Sequence, residues 1–103
     1  MAAQHAFAMQ RRAGRPCGER INAIARLHWA RFLPADLASL AAVRALAGRF
    51  TADGPLTILV NNVGAMFPSR QDSVDGIEAT FAVNHLSPHL LTELLLPALR
   101  AGS

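Results

Sequence analysis

The chain has 103 residues, 51% of them apolar and 17% charged, with a formal net charge of +3 and a single cysteine, Cys17. This is the composition of one globular domain, and it excludes disorder and an internal disulfide. Ten arginines without a lysine, spread along the chain with few aromatics, argue against a nucleic-acid binder.

His5–Gln10 is short and mostly apolar and predicts a first strand. Gly14 and Pro16 make Ala13–Cys17 a loop. Ile21, Ile24 and Ala25 are spaced as one face of a helix over Gly18–Leu27. His28–Leu33, stopped by Pro34, predicts a second strand. Leu37, Leu40, Val43, Ala47 and Phe50 then step by three or four residues, with Arg44 and Arg49 off the stripe. That spacing predicts an amphipathic helix with Asp36 as its N-cap, ended by Asp53-Gly54-Pro55. Leu56–Val60 is a β-branched run bounded by turn residues and predicts the third strand. Asn61-Asn62-Val63-Gly64 closes it, and a loop runs to about Ser73. From Val74, the positions Ile77, Phe81, Leu86, Leu90, Leu91, Leu94, Leu95 and Leu99 predict a long helix. Pro88 has no N–H, and its ring crowds a carbonyl one turn earlier, so a bend is expected near Asn84.

Strands alternating with helices predict an α/β fold with a parallel sheet. Ligands of such sheets bind beyond the carboxyl ends of the strands. Arg11, Asp36 and Asn61-Asn62-Val63-Gly64 all fall at such ends. Plainer roles stand beside that one: solvated charge for Arg11-Arg12, a helix cap for Asp36, a turn for Asn61-Asn62, a helix interruption for Asn84. His85, His89 and Glu93 are spaced along one helix face. Pro88 distorts that turn, though, and no Glu directly follows His85, so they are read as structural or surface residues and no metal site is assigned. Ser87 has no Gly-x-Ser-x-Gly elbow around it and is not read as a nucleophile. The leucine run is read as core or as a helix–helix interface. No stretch is apolar and uninterrupted enough to span a membrane. Met1-Ala-Ala-Gln-His5 lacks the layout of a signal peptide, and the lone thiol points to a cytoplasmic setting.

These residues, in this order, resemble the short-chain dehydrogenase/reductase family, and within it the branch of the retinol dehydrogenases. The likeness runs from about Gln4 to Leu99. Asn61-Asn62-Val63-Gly64 is similar to the family's Asn-Asn-Ala-Gly motif, with Val63 for the usual alanine. Asp36-Leu37-Ala38-Ser39 is similar to its acidic segment after the third strand. Asp75-Gly76-Ile77-Glu78, Phe81-Ala82-Val83-Asn84-His85-Leu86 and Leu90-Leu91-Thr92 are similar to its active-site helix. The resemblance implies a partial Rossmann fold over residues 1–103: a doubly wound parallel sheet in three α/β/α layers, lacking the first strand and the C-terminal half. It implies an NAD(P)-dependent oxidoreductase that moves hydride between the nicotinamide and a small carbonyl or alcohol substrate.

Roles follow from the same resemblance. Asn84 is implied as catalytic, its freed backbone carbonyl holding a water in a proton relay. Arg11, Asp36, Leu37, Asn61, Asn62, Val63 and Gly64 are implied as cofactor-binding. Gly64 lets a ribose approach the backbone. Asn61 pins the strand end. Asp36 accepts from the adenine amino group, with Leu37 beside it. The planar guanidinium of Arg11 suits a 2′-phosphate, which favours NADP(H) over NAD(H). Gly14-Arg15-Pro16-Cys17-Gly18-Glu19-Arg20 has Arg20 where the family's third glycine belongs, so no pyrophosphate cradle is assigned there. The family's general acid is a tyrosine tuned by a lysine, and the chain has neither. The expectation is therefore a fragment of a longer enzyme, inactive alone, with a gap at the centre of its sheet. The alternative is a non-catalytic interaction module or pseudoenzyme relic that forms a homo- or hetero-oligomer through its open sheet and leucine-rich helix.

Overall fold

The computed structural model describes His5–Phe7 and residues 33–103. The predicted helix over 18–27, the loop over 13–17, Arg11, Arg12 and Cys17 lie outside the described residues, as does all of the predicted second strand except Leu33, which is in no strand.

The described elements run β1 (His5–Phe7), α1 (Leu40–Ala52), β2 (Ile58–Val60), α2 (Ala79–Phe81), a π-helical turn (Ala82–Leu86) and α3 (Ser87–Gly102). The two strands pair in parallel, with His5 opposite Ile58, Ala6 opposite Leu59 and Phe7 opposite Val60. This corrects the expected central gap. An open edge at β2 would leave a row of unpaired N–H and C=O groups, and β1 lies directly against it.

α1 begins three residues later than the apolar stripe predicts. Its N-cap is Ser39, whose Oγ accepts the Ala42 N–H at 3.2 Å, and not Asp36. Asp36 belongs to the preceding turn. Its Oδ1 accepts the Ala38 N–H at 3.0 Å and its carbonyl accepts the Ser39 N–H at 3.1 Å. Short polar side chains favour such local bonds over helix interiors. Leu37 is still buried, ahead of the helix proper. At the other end the Asp53 N–H reaches the carbonyls of Phe50 and Thr51, and Gly54 reverses the chain at a φ of 104°.

β2 is also shorter than its apolar run. Leu56 is buried and gives its N–H to the Ala98 carbonyl of α3 at 3.0 Å, so the first part of the run docks on a helix. The core is formed by Leu37, Val43, Leu46, Ala47, Leu56, Leu91, Leu95 and Ala98. It lies where α1 packs on α3. Ile58 and Val60 point the other way and are 47% and 42% exposed.

The final helix starts at Ala79 and not at Val74. Ser73–Ile77 is tied into a turn, with the Ser73 N–H donating to the Ile77 carbonyl at 2.7 Å and the Gly76 N–H to the Ser73 carbonyl at 3.0 Å. Glu78 caps the helix with both carboxylate oxygens, on the amides of Thr80 (3.0 Å) and Phe81 (2.9 Å). The predicted irregularity near Asn84 takes the form of the π-helical turn, in which the Ser87 N–H reaches back five residues to the Ala82 carbonyl. Pro88 explains it: its nitrogen donates to no carbonyl, and a wider turn relieves the crowding of its ring against the Asn84 carbonyl.

Candidate functional site

The site is built on the loop that leaves the carboxyl end of β2. Two polar ties hold this loop to the final helix. Asn61 Nδ2 donates to Thr92 Oγ1 at 3.0 Å, and the Thr92 hydroxyl donates to the Pro88 carbonyl at 2.7 Å. Asn84 makes the second tie with both ends of its amide. Its Oδ1 accepts the Ala65 N–H at 2.8 Å, and its Nδ2 donates to the Ala65 carbonyl at 2.7 Å. A side-chain amide presents a donor and an acceptor side by side, so it pairs with a backbone amide as a strand would.

Between these ties lie Asn62, Val63 and Gly64. Asn62 is exposed, and Val63 is half-buried and packs against the core. A Cβ placed at Gly64 would meet nothing within 4 Å, so the backbone here is bare toward solvent.

The second segment is Asp36–Leu40. Asp36 is exposed and Leu37 buried. Ser87, 1% exposed and the only buried polar residue among those described, donates its hydroxyl to the Leu37 carbonyl. Asp75 Oδ2 accepts the Leu40 N–H at 2.9 Å. Both segments are thus fastened to the stretch that runs from the Ser73 turn to Thr92. Arg11 lies outside the described residues.

Because the Asn84 amide is committed at both ends to Ala65, its side chain acts as a clamp. Pro88, four residues on, has no N–H to donate to the Asn84 carbonyl. Asp75 and Thr92 belong to the segments that resemble the family's active-site helix, and Ser87 is considered only as a nucleophile, so the ties these three make are not legible in the sequence. Their signal was a lone small polar residue within or just ahead of an apolar helical stripe, and that pattern does not say which backbone group it will meet.

Phe81, His85 and His89 form an exposed row on the same helix. The rings of Phe81 and His85 stack at 5.1 Å, and those of His85 and His89 at 6.3 Å. Among the described residues no three His, Cys, Asp or Glu side chains group to hold a metal. No described helix is long and apolar enough to cross a membrane. A groove of about 520 Å³ between α1 and α3 is lined by Arg44, Ala47, Gly48, Thr51, Ala52 and Leu94, none of them a site residue.

Residues 2–103 match the profile of the family described as short chain dehydrogenase. The chain is 58% identical to polyprenol dehydrogenase of Mus musculus over 74 residues, which is 71% of this chain and 22% of that protein. It is 46% identical to retinol dehydrogenase 12 of Mus musculus over 69 residues, 66% of this chain and 22% of that protein. It spans about a fifth of the length of these curated relatives. Among solved structures, the RhlG/NADP active-site complex of Pseudomonas aeruginosa matches with a TM-score of 0.66 and 30% identity, over 89% of this chain and 37% of that one. An uncharacterised protein from Mycobacterium paratuberculosis matches with a TM-score of 0.61 and 32% identity, over 79% and 30%.

Proposed function

The chain belongs to the short-chain dehydrogenase family, and from that premise we propose that it carries the adenosine side of a nicotinamide dinucleotide site, together with one residue of the proton relay, in an oxidoreductase acting on a small alcohol or carbonyl compound. When bound, the nicotinamide supplies or accepts the hydride. The observation that carries the reading is the reciprocal Asn84–Ala65 pair, which fixes the loop after β2 to the helix turn while Gly64 stays bare.

The residues present fit that half of the cofactor. The open surface at Gly64 admits a ribose against the backbone. Val63 packs against the core beneath the loop, Asn61 pins it to Thr92, and Asn62 presents its amide to solvent. Asp36 binds the Ala38 amide through Oδ1, and its exposed carboxylate is available to an adenine amino group. The buried Leu37 side chain holds the backbone beside it. Arg11 would bind a 2′-phosphate in two-point fashion, which favours NADP(H). The Asn84 carbonyl holds a proton-relay water. Polyprenol and retinol, named in two relatives, support an apolar alcohol or its carbonyl counterpart as the substrate class. Without a tyrosine or a lysine, the 103-residue chain alone turns over no substrate. A cytoplasmic setting belongs to the same reading.

The test is an amide-resolved NMR titration of the chain with NADP⁺, NAD⁺ and adenosine 2′,5′-bisphosphate. Shifts are expected at Asp36–Ala38 and Asn62–Ala65, saturating first with the two ligands that carry a 2′-phosphate. The Arg11→Ala variant should bind all three equally. Absence of binding, or shifts confined to other residues, removes the adenosine assignment. A chain that instead elutes as a stable oligomer and ignores all three ligands is the non-catalytic module.

A further inference from the structure

The Asp36–Leu40 segment and the loop after β2 do not bond to each other through any described side chain, yet both are fastened to one helix. We propose that Ser87 is a positioning residue, which ties the adenine-reading segment to the helical stretch that carries Asn84; the functional part of this inference rests on the adenosine reading above. Ser87 follows the π-helical turn directly and is 1% exposed. Its hydroxyl donates to the carbonyl of Leu37, fifty residues away in the chain and next to Asp36. Ser87 is the only buried polar residue among those described, and its hydroxyl is spent on this one bond. Losing it strands a buried carbonyl.

The second tie on the same segment, Asp75 to the Leu40 amide, is exposed and reaches it from the other side of Ser39. Ser87 thus holds the inner end of the segment and Asp75 the outer end. Asn84 clamps the opposing loop from the turn just ahead of Ser87. The helix then sets the separation between the place where adenine is read and the place where the relay water is held.

Hydrogen exchange of the full chain tests this in Ser87→Ala, with Thr92→Val as control. In Ser87→Ala the amides of Ala38, Ser39 and Leu40 should exchange about tenfold faster, as expected for one lost bond to a buried group. The Ala65 amide and the core amides of α3 should not change. Thr92→Val should leave the Asp36–Leu40 amides untouched. Unchanged exchange at Ala38–Leu40 in Ser87→Ala overturns the proposal. Uniform acceleration across the chain also overturns it, because Ser87 would then be a general stability contact. Asp75→Ala is an exposed change that keeps the fold and tests Ser87 from the other side. If Ser87 is the anchor, faster exchange is confined to Leu40 and Ala38 stays protected, whereas loss of protection at both refutes it. Adenosine 2′,5′-bisphosphate should bind Ser87→Ala several-fold more weakly than it binds the unmodified chain. No binding to the unmodified chain sinks the adenosine reading and leaves the tie to be judged on exchange alone.

Discussion

Both oxygens of the Glu78 carboxylate accept backbone amides, and the contact with Phe81, followed by that with Thr80, holds its pKa below the usual 4.5. A carboxylate with a lowered pKa contributes fully above its unfolded-state value and loses that contribution as pH falls through the lower, folded-state value. Acidification below pH 4.5 should therefore loosen the start of α2 as the Glu78 carboxylate takes up its proton. The Thr80 and Phe81 amide shifts should titrate together with a midpoint under 4.5, and Glu78→Gln should abolish that titration. Asn84 allows a sharper comparison. Asn84→Ala removes both bonds to Ala65 and should cost about 1 kcal/mol in urea unfolding, since the pair is exposed and each such bond nets roughly 1 kcal/mol or less. Asn84→Asp keeps the acceptor but sets a carboxylate against the Ala65 carbonyl. It should cost more at neutral pH than at pH 3, where the protonated group donates again.

At the scale of elements, α3 docks on the chain ahead of β2 by close backbone approach. A Cβ added at Gly102 would lie 2.2 Å from the Leu56 carbonyl oxygen. No side chain can rotate to relieve that contact, because the obstacle is main chain. Gly102→Ala should cost about 1–3 kcal/mol by the usual penalty for overpacking. It should also weaken the Leu56–Ala98 hydrogen bond, seen as faster exchange of the Leu56 amide. The opposite error, underpacking, is tested at Leu95, which is 0% exposed in the seam between α1 and α3. Leu95→Ala should cost about 2–5 kcal/mol, and thermal unfolding should show whether so small a core survives it.

For the molecule as a whole, the strand–helix order of the described elements and the core face of α1 were readable because apolar spacing reports directly on burial. Val43 and Ala47, named from that spacing, are buried in the structure. Element ends were less readable, because caps depend on which polar group wins a local competition. Asp36, Ser39 and Glu78 all have the right chemistry, and only geometry shows that Asp36 turns the chain while the other two cap helices. The irregularity at Asn84 was readable from Pro88, but its π form was not, since a missing N–H fixes where a helix must give and not how. The ties to the site were least readable. They join residues such as Leu37 and Ser87 that no periodicity connects. The pairing of β1 with β2 likewise depends on which strand edge is unsatisfied, a property of the assembled sheet.

The π-helical turn also bears on how this chain tolerates a change in length. A turn that closes over five residues holds one more residue than an α-helix needs. The extra residue is taken up inside the turn, so the segments on either side keep the phase of one continuous helix. Deleting one residue of Ala82–Leu86 would close the turn over four residues and leave Asp75 beside Leu40 and Glu78 capping the helix in phase with Leu91 and Leu95. The cost would be local: the ring of Pro88 would again crowd the carbonyl one turn ahead of it. A one-residue deletion here should therefore spare the core and be felt first at the tie between Asn84 and Ala65.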